Sequence, residues 1–188
     1  MARFSKTSAL SVVRIALFAA IISVTAFVSV PFPVPLTLQT LGIFTALFTL
    51  GARRGAASVL LYVAIGAVGL PVFSGFTGGV GRLFDLTGGF IFGFLLAAVV
   101  YIPLARFAKG AFGYITVGSI CQLVIYASGV LGYVIVSGVS GASVGVGSAI
   151  LTCVLPYIIP DFIKIFISYV ISKRLRSIMK KESRHEIN

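Results

Sequence analysis

Long apolar runs, separated by short breaks rich in proline, glycine or basic residues, cover most of the chain from residue 8 to residue 171. Of the 188 residues, 59% are hydrophobic and only 10% are charged, and the mean hydropathy is +1.12. Soluble domains are about half apolar and about one quarter charged. A protein of this length cannot bury so many hydrophobic residues in its own core. The medium around it must therefore itself be apolar. The sequence therefore predicts an all-α integral membrane protein.

Six apolar runs are candidate membrane-spanning helices, because a helix needs about 20 apolar residues to cross a bilayer. The proline-rich segment 31–35 ends the first run, Pro71 ends the third, and Pro156 and Pro160 interrupt the last, since proline breaks helices. The second and third runs are short for spans. The predicted spans are residues 8–30, 36–50, 55–70, 88–107, 112–136 and 146–171.

The basic residues test this count, because lysine and arginine favour the cytoplasmic side of a membrane. With six spans, all 15 lysines and arginines except Arg82 and Lys164 lie on one side. Five or seven spans would scatter them. We therefore expect a polytopic membrane protein with six transmembrane helices and both termini in the cytoplasm. Residues 1–174 would form one membrane domain, and residues 175–188 a basic cytoplasmic tail.

The composition also excludes several functions. The net charge is +11, but the basic residues anchor the topology against anionic lipid, and no basic face with interleaved aromatics points to nucleic acid. Cys121 and Cys153 lie in apolar runs and are expected to be packing residues. With one histidine, no metal site is expected. We find no nucleophile–base pair and no nucleotide phosphate loop, so we predict neither an enzyme nor a bound cofactor.

Two ionisable residues lie inside the apolar run "YIIPDFIKIF", residues 157–166. Asp161 and Lys164 share one helix face, because they are three residues apart, and a position about 20 Å above Arg174 puts them in the outer half of the membrane. Isolated charges there cost several kcal/mol and need partners. Either the two side chains pair and fix helix packing, or they form one wall of a ligand site. Pro160 favours the second interpretation. Proline leaves backbone polar groups without helical partners, and at this depth such groups must face a cavity or other protein atoms.

The segment from residue 69 to residue 94 contains eight glycines and leads directly into the fourth span. Thr87 is a candidate N-cap. Gly88 and Gly89 would let a ligand approach the free amides of the helix start, which attract anions. The alternative is that the glycines serve close helix packing. The same "TGG" triplet occurs at residues 77–79, and Arg82, between the two triplets, either joins the site or pairs with Asp85 at the surface.

Two further sets of polar and small residues are candidates. Gln39 and Thr40 open the second span, where they either reach a cavity or cross-link helices. Ala16 and Ala20 form a small-residue stripe on the first span. Such a stripe lets another helix approach closely, either inside this bundle or from a partner protein.

Three motifs in order, "VPFPVPLTLQTLG", "GLPVF…GG…LTGGFIFGF" and "IIPDFIK", resemble the BioY family over residues 17–174. The resemblance implies the biotin-specific substrate-binding (S) component of a bacterial energy-coupling-factor (ECF) transporter. Such a protein lies in the cytoplasmic membrane and captures biotin from the outer side. It works with a transmembrane coupling protein and a pair of cytoplasmic ATPases.

The resemblance also implies roles for residues. The acid and lysine that contact biotin in the family match Asp161 and Lys164, and the alanines that dock the coupling protein match Ala16 and Ala20. The glycine-rich segment that lines the site matches Thr87, Gly88, Gly89 and Phe90. Three positions depart from the family pattern: Leu86 replaces a proline, Pro160 directly precedes the acid in place of a glycine, and Thr77-Gly78-Gly79 replaces an Asn-Gly-Gly.

These matches give a hypothesis for biotin binding. Asp161 would accept a ureido N–H, and Lys164 would donate to a polar oxygen. Phe90, Tyr126 and Phe162 would cover the ring system. The carboxylate would be held by residues of the glycine-rich segment, which are Thr87, Gly88, Gly89 and Arg82.

Two other functions stay open at this point. One is an S component for another small vitamin. The other is a stand-alone proton-coupled secondary transporter with Asp161 and Lys164 as a proton relay. A protonophore would abolish uptake by the second but not uptake driven by an ATPase.

Overall fold

The computed structural model describes residues 6–31, 34–142 and 144–185. Within these residues the chain is predominantly α-helical, as predicted. A two-residue antiparallel pair, β1 (Ser29–Val30) with β2 (Leu36–Thr37), joins the first two helices. The α-helices are α1 (Lys6–Phe27), α2 (Gln39–Leu50), α3 (Ala52–Val68), α4 (Gly88–Leu104), α5 (Gly110–Val139), α6 (Val146–Cys153) and α7 (Ile158–His185).

The helix bounds agree closely with the predicted spans. In the described part of the chain, four stretches are long and apolar enough to cross a membrane: Ala9–Phe27, Gly88–Phe107, Gly110–Val139 and Val146–Lys180. The predicted second and third spans correspond to α2 and α3, which have 12 and 17 residues. The count of six spans and the cytoplasmic side of both termini therefore stay predictions.

The predicted domain boundaries extend beyond the described residues. Helix α7 continues to His185, so residues 175–185 of the predicted tail are helical. The described part of the chain omits residues 1–5, 32–33, 143 and 186–188. These residues include the extreme ends of both predicted domains and part of the proline-rich break.

The short helix α2 lies at the centre of the fold. Ten of its residues are buried, and it packs against α1, α3 and α7. A helix that is hydrophobic all round belongs in the interior of a bundle. Helix α2 ends immediately before Gly51, whose φ of 80° suits glycine and breaks the helical geometry.

Helices α4 and α5 approach each other through glycines. A Cβ added at Gly89 would lie 2.6 Å from the backbone oxygen of Ser128 and 2.9 Å from the Cα of Gly132. A Cβ added at Gly132 would lie 2.6 Å from the Cα of Gly89. Such backbone contacts are the known use of small residues between membrane helices.

We therefore expect Gly89→Ala to destabilise the protein, by about 1–3 kcal/mol, because the new methyl group forces the two helices apart. The matched control is Gly138→Ala, on α5, where an added Cβ meets nothing within 4 Å. That change should leave stability unchanged or raise it by up to about 1 kcal/mol. Thermal unfolding in detergent measures both, and equal midpoints for Gly89→Ala and the unaltered protein would contradict the close contact.

Candidate ligand-binding site

The two prolines of the last apolar run determine where its acid lies. Pro156 belongs to a 3₁₀ turn, Leu155–Tyr157, that separates α6 from α7, and Pro160 is the third residue of α7. Proline is tolerated there because the first amides of a helix have no intrahelical partner. Asp161 therefore lies in the first turn of α7, where the helix dipole stabilises a negative charge.

Four side chains donate hydrogen bonds to the carboxylate of Asp161. Its Oδ1 accepts from Lys164 Nζ at 2.8 Å and from the Thr40 hydroxyl at 3.3 Å. Its Oδ2 accepts from Gln122 Nε2 at 3.0 Å and from the Tyr126 hydroxyl at 2.6 Å. The donors come from α2, α5 and α7, so this one carboxylate connects three helices.

The Asp161–Lys164 ion pair is deeply buried, with side-chain exposures of 6% and 8%. Removing two charges from water is costly, and their attraction offsets that cost only when further hydrogen bonds satisfy the ions. Here the additional donors from Thr40, Gln122 and Tyr126 supply those bonds. The sequence left open whether the two residues pair or line a ligand site. The structure shows that they pair and that both line a pocket, and the ligand stays a prediction.

A pocket lies beside this pair. It is partly open to the outside of the protein. Residues 34–37, the segment before α4, and helices α2, α4, α5 and α7 all contribute to its walls. One wall is apolar and consists of Phe73, Phe90, Ile91, Phe94 and Ile125. A few polar groups within an apolar cavity are typical of sites for small organic ligands.

A second polar group lines the pocket from the segment before α4. Arg82 pairs with Asp85 and donates from Nε to the Thr77 hydroxyl at 3.0 Å. The other Asp85 oxygen accepts from the backbone amide and the hydroxyl of Thr87, at 2.8 and 2.7 Å. Arg82 thus both pairs with Asp85 and lines the pocket. Thr87 occupies the N-cap position of α4, but its hydroxyl makes no capping bond.

The structure brings most of the predicted site residues together. Those that line the pocket are Gln39, Arg82, Thr87, Phe90, Tyr126, Asp161 and Lys164. Those that are not among the lining residues are Thr77, Gly78, Gly88 and Gly89.

Each residue outside the pocket has a structural contact. Thr77 accepts the Arg82 bond just described, and Gly89 contacts α5. A Cβ at Gly88 would lie 2.0 Å from the Leu83 carbonyl oxygen, and one at Gly78 would lie 2.2 Å from that of Leu70. Phe162, expected to cover the ligand ring, is 53% exposed on α7 and does not line the pocket.

Sequence reasoning missed Gln122 as a site residue. It lines the pocket and lies one helical turn before Tyr126, so both side chains reach Asp161 from the same face of α5. The available signal was a single amide in a long apolar helix, because polar side chains within membrane spans face the bundle interior and find partners there.

The segment that joins α1 to α2 covers part of the pocket. The Tyr157 hydroxyl donates a hydrogen bond to the backbone carbonyl of Val34. Val34, Tyr126, Cys153 and Tyr157 form a small apolar cluster separate from the main core. All four residues line the pocket, so this cluster is part of its wall.

The stripe on α1 has a different environment. Ala16 and Ala20 are exposed, whereas the neighbouring Ala19 is buried against the bundle. Ala19, in the row beside the stripe, is therefore the alanine that packs within this chain. Ala16 and Ala20 lie on the outer surface of the described bundle.

No group of three histidine, cysteine, aspartate or glutamate side chains that could hold a metal ion occurs in the described ranges. The polar groups that line the pocket are one buried acid–lysine pair, one arginine, and amide and hydroxyl groups. Aromatic side chains form part of its walls.

Comparison with known proteins identifies relatives along nearly the whole chain. The chain is 37% identical over 163 residues to the probable biotin transporter BioY of Pyrococcus horikoshii, covering 86% of this chain and 93% of that protein. It is 36% identical over 169 residues to the biotin transporter BioY of Thermotoga maritima, covering 88% and 95%.

A solved structure shares the fold. The crystal structure of the S-component for biotin from an ECF-type ABC transporter matches with a TM-score of 0.80 and 24% sequence identity, covering 94% of this chain and 95% of that one. The BioY family model matches residues 2–181. The chain belongs to the BioY family.

Proposed function

We propose that this protein is the biotin-binding S component of an ECF-type importer in the bacterial cytoplasmic membrane, and that it captures biotin from the outer side. It is a transport component and not an enzyme. The observation that carries the proposal is the buried Asp161–Lys164 pair beside a pocket with apolar walls, in a chain of the BioY family.

The chemistry of biotin fits the pocket. Its bicyclic body carries a thioether and a ureido group with two N–H donors and one carbonyl oxygen, and a flexible chain ends in a carboxylate. The aromatic rings of Phe73, Phe90 and Phe94 offer an apolar surface for the body. An ammonium group has three N–H donors. One of those of Lys164 binds Asp161, and another would bind the ureido carbonyl.

Arg82 is the proposed anchor for the ligand carboxylate. A guanidinium group has five N–H donors in a planar fork that matches a carboxylate. Thr77 and Asp85 engage two of its nitrogens. The Thr87 hydroxyl already donates to Asp85, and the Gly88 amide donates to the Asp85 carbonyl at 3.0 Å. Arg82 therefore supports carboxylate binding better than the glycine-rich segment that the resemblance implies.

This assignment predicts that Arg82→Met lowers biotin affinity about tenfold, because a charge-assisted hydrogen bond is lost. Biotinamide, which has no carboxylate, should bind the unaltered protein and the variant about equally. Arg106→Met, at the opposite end of α4, is the matched control and should not affect either ligand. Isothermal titration calorimetry measures the six affinities, two ligands for each of three proteins. Equal loss for biotin and biotinamide would contradict a carboxylate contact.

The proposed partners are a transmembrane coupling protein and a pair of cytoplasmic ATPases, with the exposed face of Ala16 and Ala20 as the docking surface for the coupling protein. Small side chains on an exposed helix permit close approach by another helix. The pocket and this face use different residues, so ligand binding and docking should be separable by mutation.

Ala16→Trp should therefore abolish co-purification with the coupling protein and ATP-driven biotin uptake, while biotin affinity stays unchanged. Val99→Trp, at another exposed helix position on α4, is the control and should retain both. Pull-down and uptake assays in cells that express the whole transporter measure these effects. Normal uptake by Ala16→Trp would place the docking surface elsewhere.

The two alternatives have distinct signatures. An S component for another vitamin would bind that vitamin in a ligand screen and leave biotin unbound. A stand-alone proton-coupled transporter would take up ligand without the ATPases and lose uptake with a protonophore. The relatives named as biotin transporters favour biotin over another vitamin.

A further inference from the structure

The carboxylate of Asp161 already accepts four side-chain hydrogen bonds, so a ligand donor would compete with them. A carboxylate offers about four lone-pair sites, and four side-chain donors already occupy those of Asp161. If a ureido N–H bound Asp161 directly, one of these donors would have to leave and lose its own buried partner. A second acceptor beside the ion pair would let both ureido N–H groups find a partner.

Gln122 supplies such an acceptor. A carboxylate can only accept, so the amide nitrogen of Gln122 must face Asp161, and this fixes its Oε1 on the other side of the amide group. Among the described residues, Oε1 has no hydrogen-bond partner although it is buried, and Gln122 itself is 5% exposed. A buried acceptor without a partner costs about 1–3 kcal/mol. Gln122 also lines the pocket.

We propose that Gln122 Oε1 accepts one N–H of the ureido group beside the Asp161–Lys164 pair, and that Asp161 also orients Gln122, Tyr126 and Lys164. This inference rests on the proposed biotin function. It makes Gln122 a specificity-determining residue: Lys164 recognises the ureido carbonyl and Gln122 recognises the adjacent N–H. The ligand would satisfy a buried acceptor that has no hydrogen-bond partner among the described residues.

The test compares biotin with its two N-methyl derivatives, each of which blocks one ureido N–H. The unaltered protein should bind one of the two derivatives at least about tenfold more weakly than biotin, because the methyl group removes the donor and leaves Oε1 unpaired. Gln122→Met has a side chain of similar length without a strong acceptor. It should bind biotin more weakly, and its preference for biotin over that derivative should fall to about twofold or less.

A second variant keeps the test decisive if Gln122→Met is unstable. In Gln122→Glu, the protonated carboxyl group would donate its O–H to Asp161 and keep its carbonyl oxygen as an acceptor of the same reach. This variant should therefore keep the preference for biotin. If Gln122 only positions Asp161, both variants weaken all three ligands equally and the preference survives in Gln122→Met. That result overturns the inference. Equal binding of biotin and both derivatives by the unaltered protein overturns it as well.

Failure of the proposed function has a different signature. In that case the unaltered protein binds neither biotin nor its derivatives, although it is folded as judged by a cooperative thermal transition. The inference then falls with the function. Biotin binding with an unchanged N-methyl preference in Gln122→Met rejects only the role of Gln122.

Discussion

Replacing Asp161 with asparagine should destabilise the protein by about 3–5 kcal/mol and weaken biotin binding by roughly 30-fold or more. The carboxylate of Asp161 accepts four hydrogen bonds. An asparagine amide offers one acceptor oxygen, and its NH₂ group faces either Gln122 and Tyr126 or Lys164 and Thr40. The NH₂ group of the asparagine then faces two other hydrogen-bond donors, with no acceptor between them. The ammonium group of Lys164 is also left buried without a counter-charge.

Thermal unfolding and biotin titration in detergent measure the two effects separately. Asp85→Asn is the control for stability, because its pair with Arg82 has the same i,i+3 spacing but is accessible to solvent, with side-chain exposures of 29% and 35%. Surface pairs contribute about 1 kcal/mol or less. An Asp161→Asn protein as stable as the Asp85→Asn protein would contradict the hydrogen bonds assigned to Asp161.

The second large effect is expected from Lys164→Met. The change removes the proposed donor to the ureido carbonyl and leaves the Asp161 charge buried with neutral donors only, so it should also cost about 3–5 kcal/mol in stability. Biotin affinity should again fall by roughly 30-fold or more, since a buried charged contact is lost. Unfolding and titration under the same conditions as for Asp161→Asn provide the measurement.

The double variant, Asp161→Asn with Lys164→Met, separates structure from binding. With both charges removed, no unpaired ion remains, so stability should recover relative to either single variant. Biotin affinity should not recover, because both the donor and the group that orients it are absent. Recovery of binding together with stability would show that the pair only maintains the fold.

The helices and the acid–lysine face could be predicted from the sequence because they follow from local rules. Apolar length gives the helices, the prolines at 156 and 160 give the break before α7, and a spacing of three puts Asp161 and Lys164 on one face. Each of these inferences uses residues within one or two turns of each other.

The partners of Asp161 could not be predicted in the same way. Thr40 and Gln122 reach it across 121 and 39 positions of sequence. Only the packing of α2 and α5 against α7 brings them together, and no periodicity within a single helix reveals it. Gln39 and Thr40 were expected either to reach a cavity or to cross-link helices, and the structure shows that Thr40 does both.

The glycine-rich segment shows a second limit of sequence reasoning. Two adjacent glycines at the start of α4 are compatible with a ligand at the backbone and with close packing, because both need the absence of a Cβ. In the structure, the space beside Gly89 is filled by α5 and the space beside Gly88 by Leu83. The choice depends on which surface meets the glycine, and that is a property of the folded bundle.

The most direct test of the central claim, that the pocket at the Asp161–Lys164 pair binds biotin, is an equilibrium titration of the purified protein in detergent with biotin, beside the Asp161→Asn variant. We predict saturable binding of one biotin per chain and a loss of roughly 30-fold or more in the variant. Absence of binding to the folded, unaltered protein, or equal affinity in the variant, would contradict that claim.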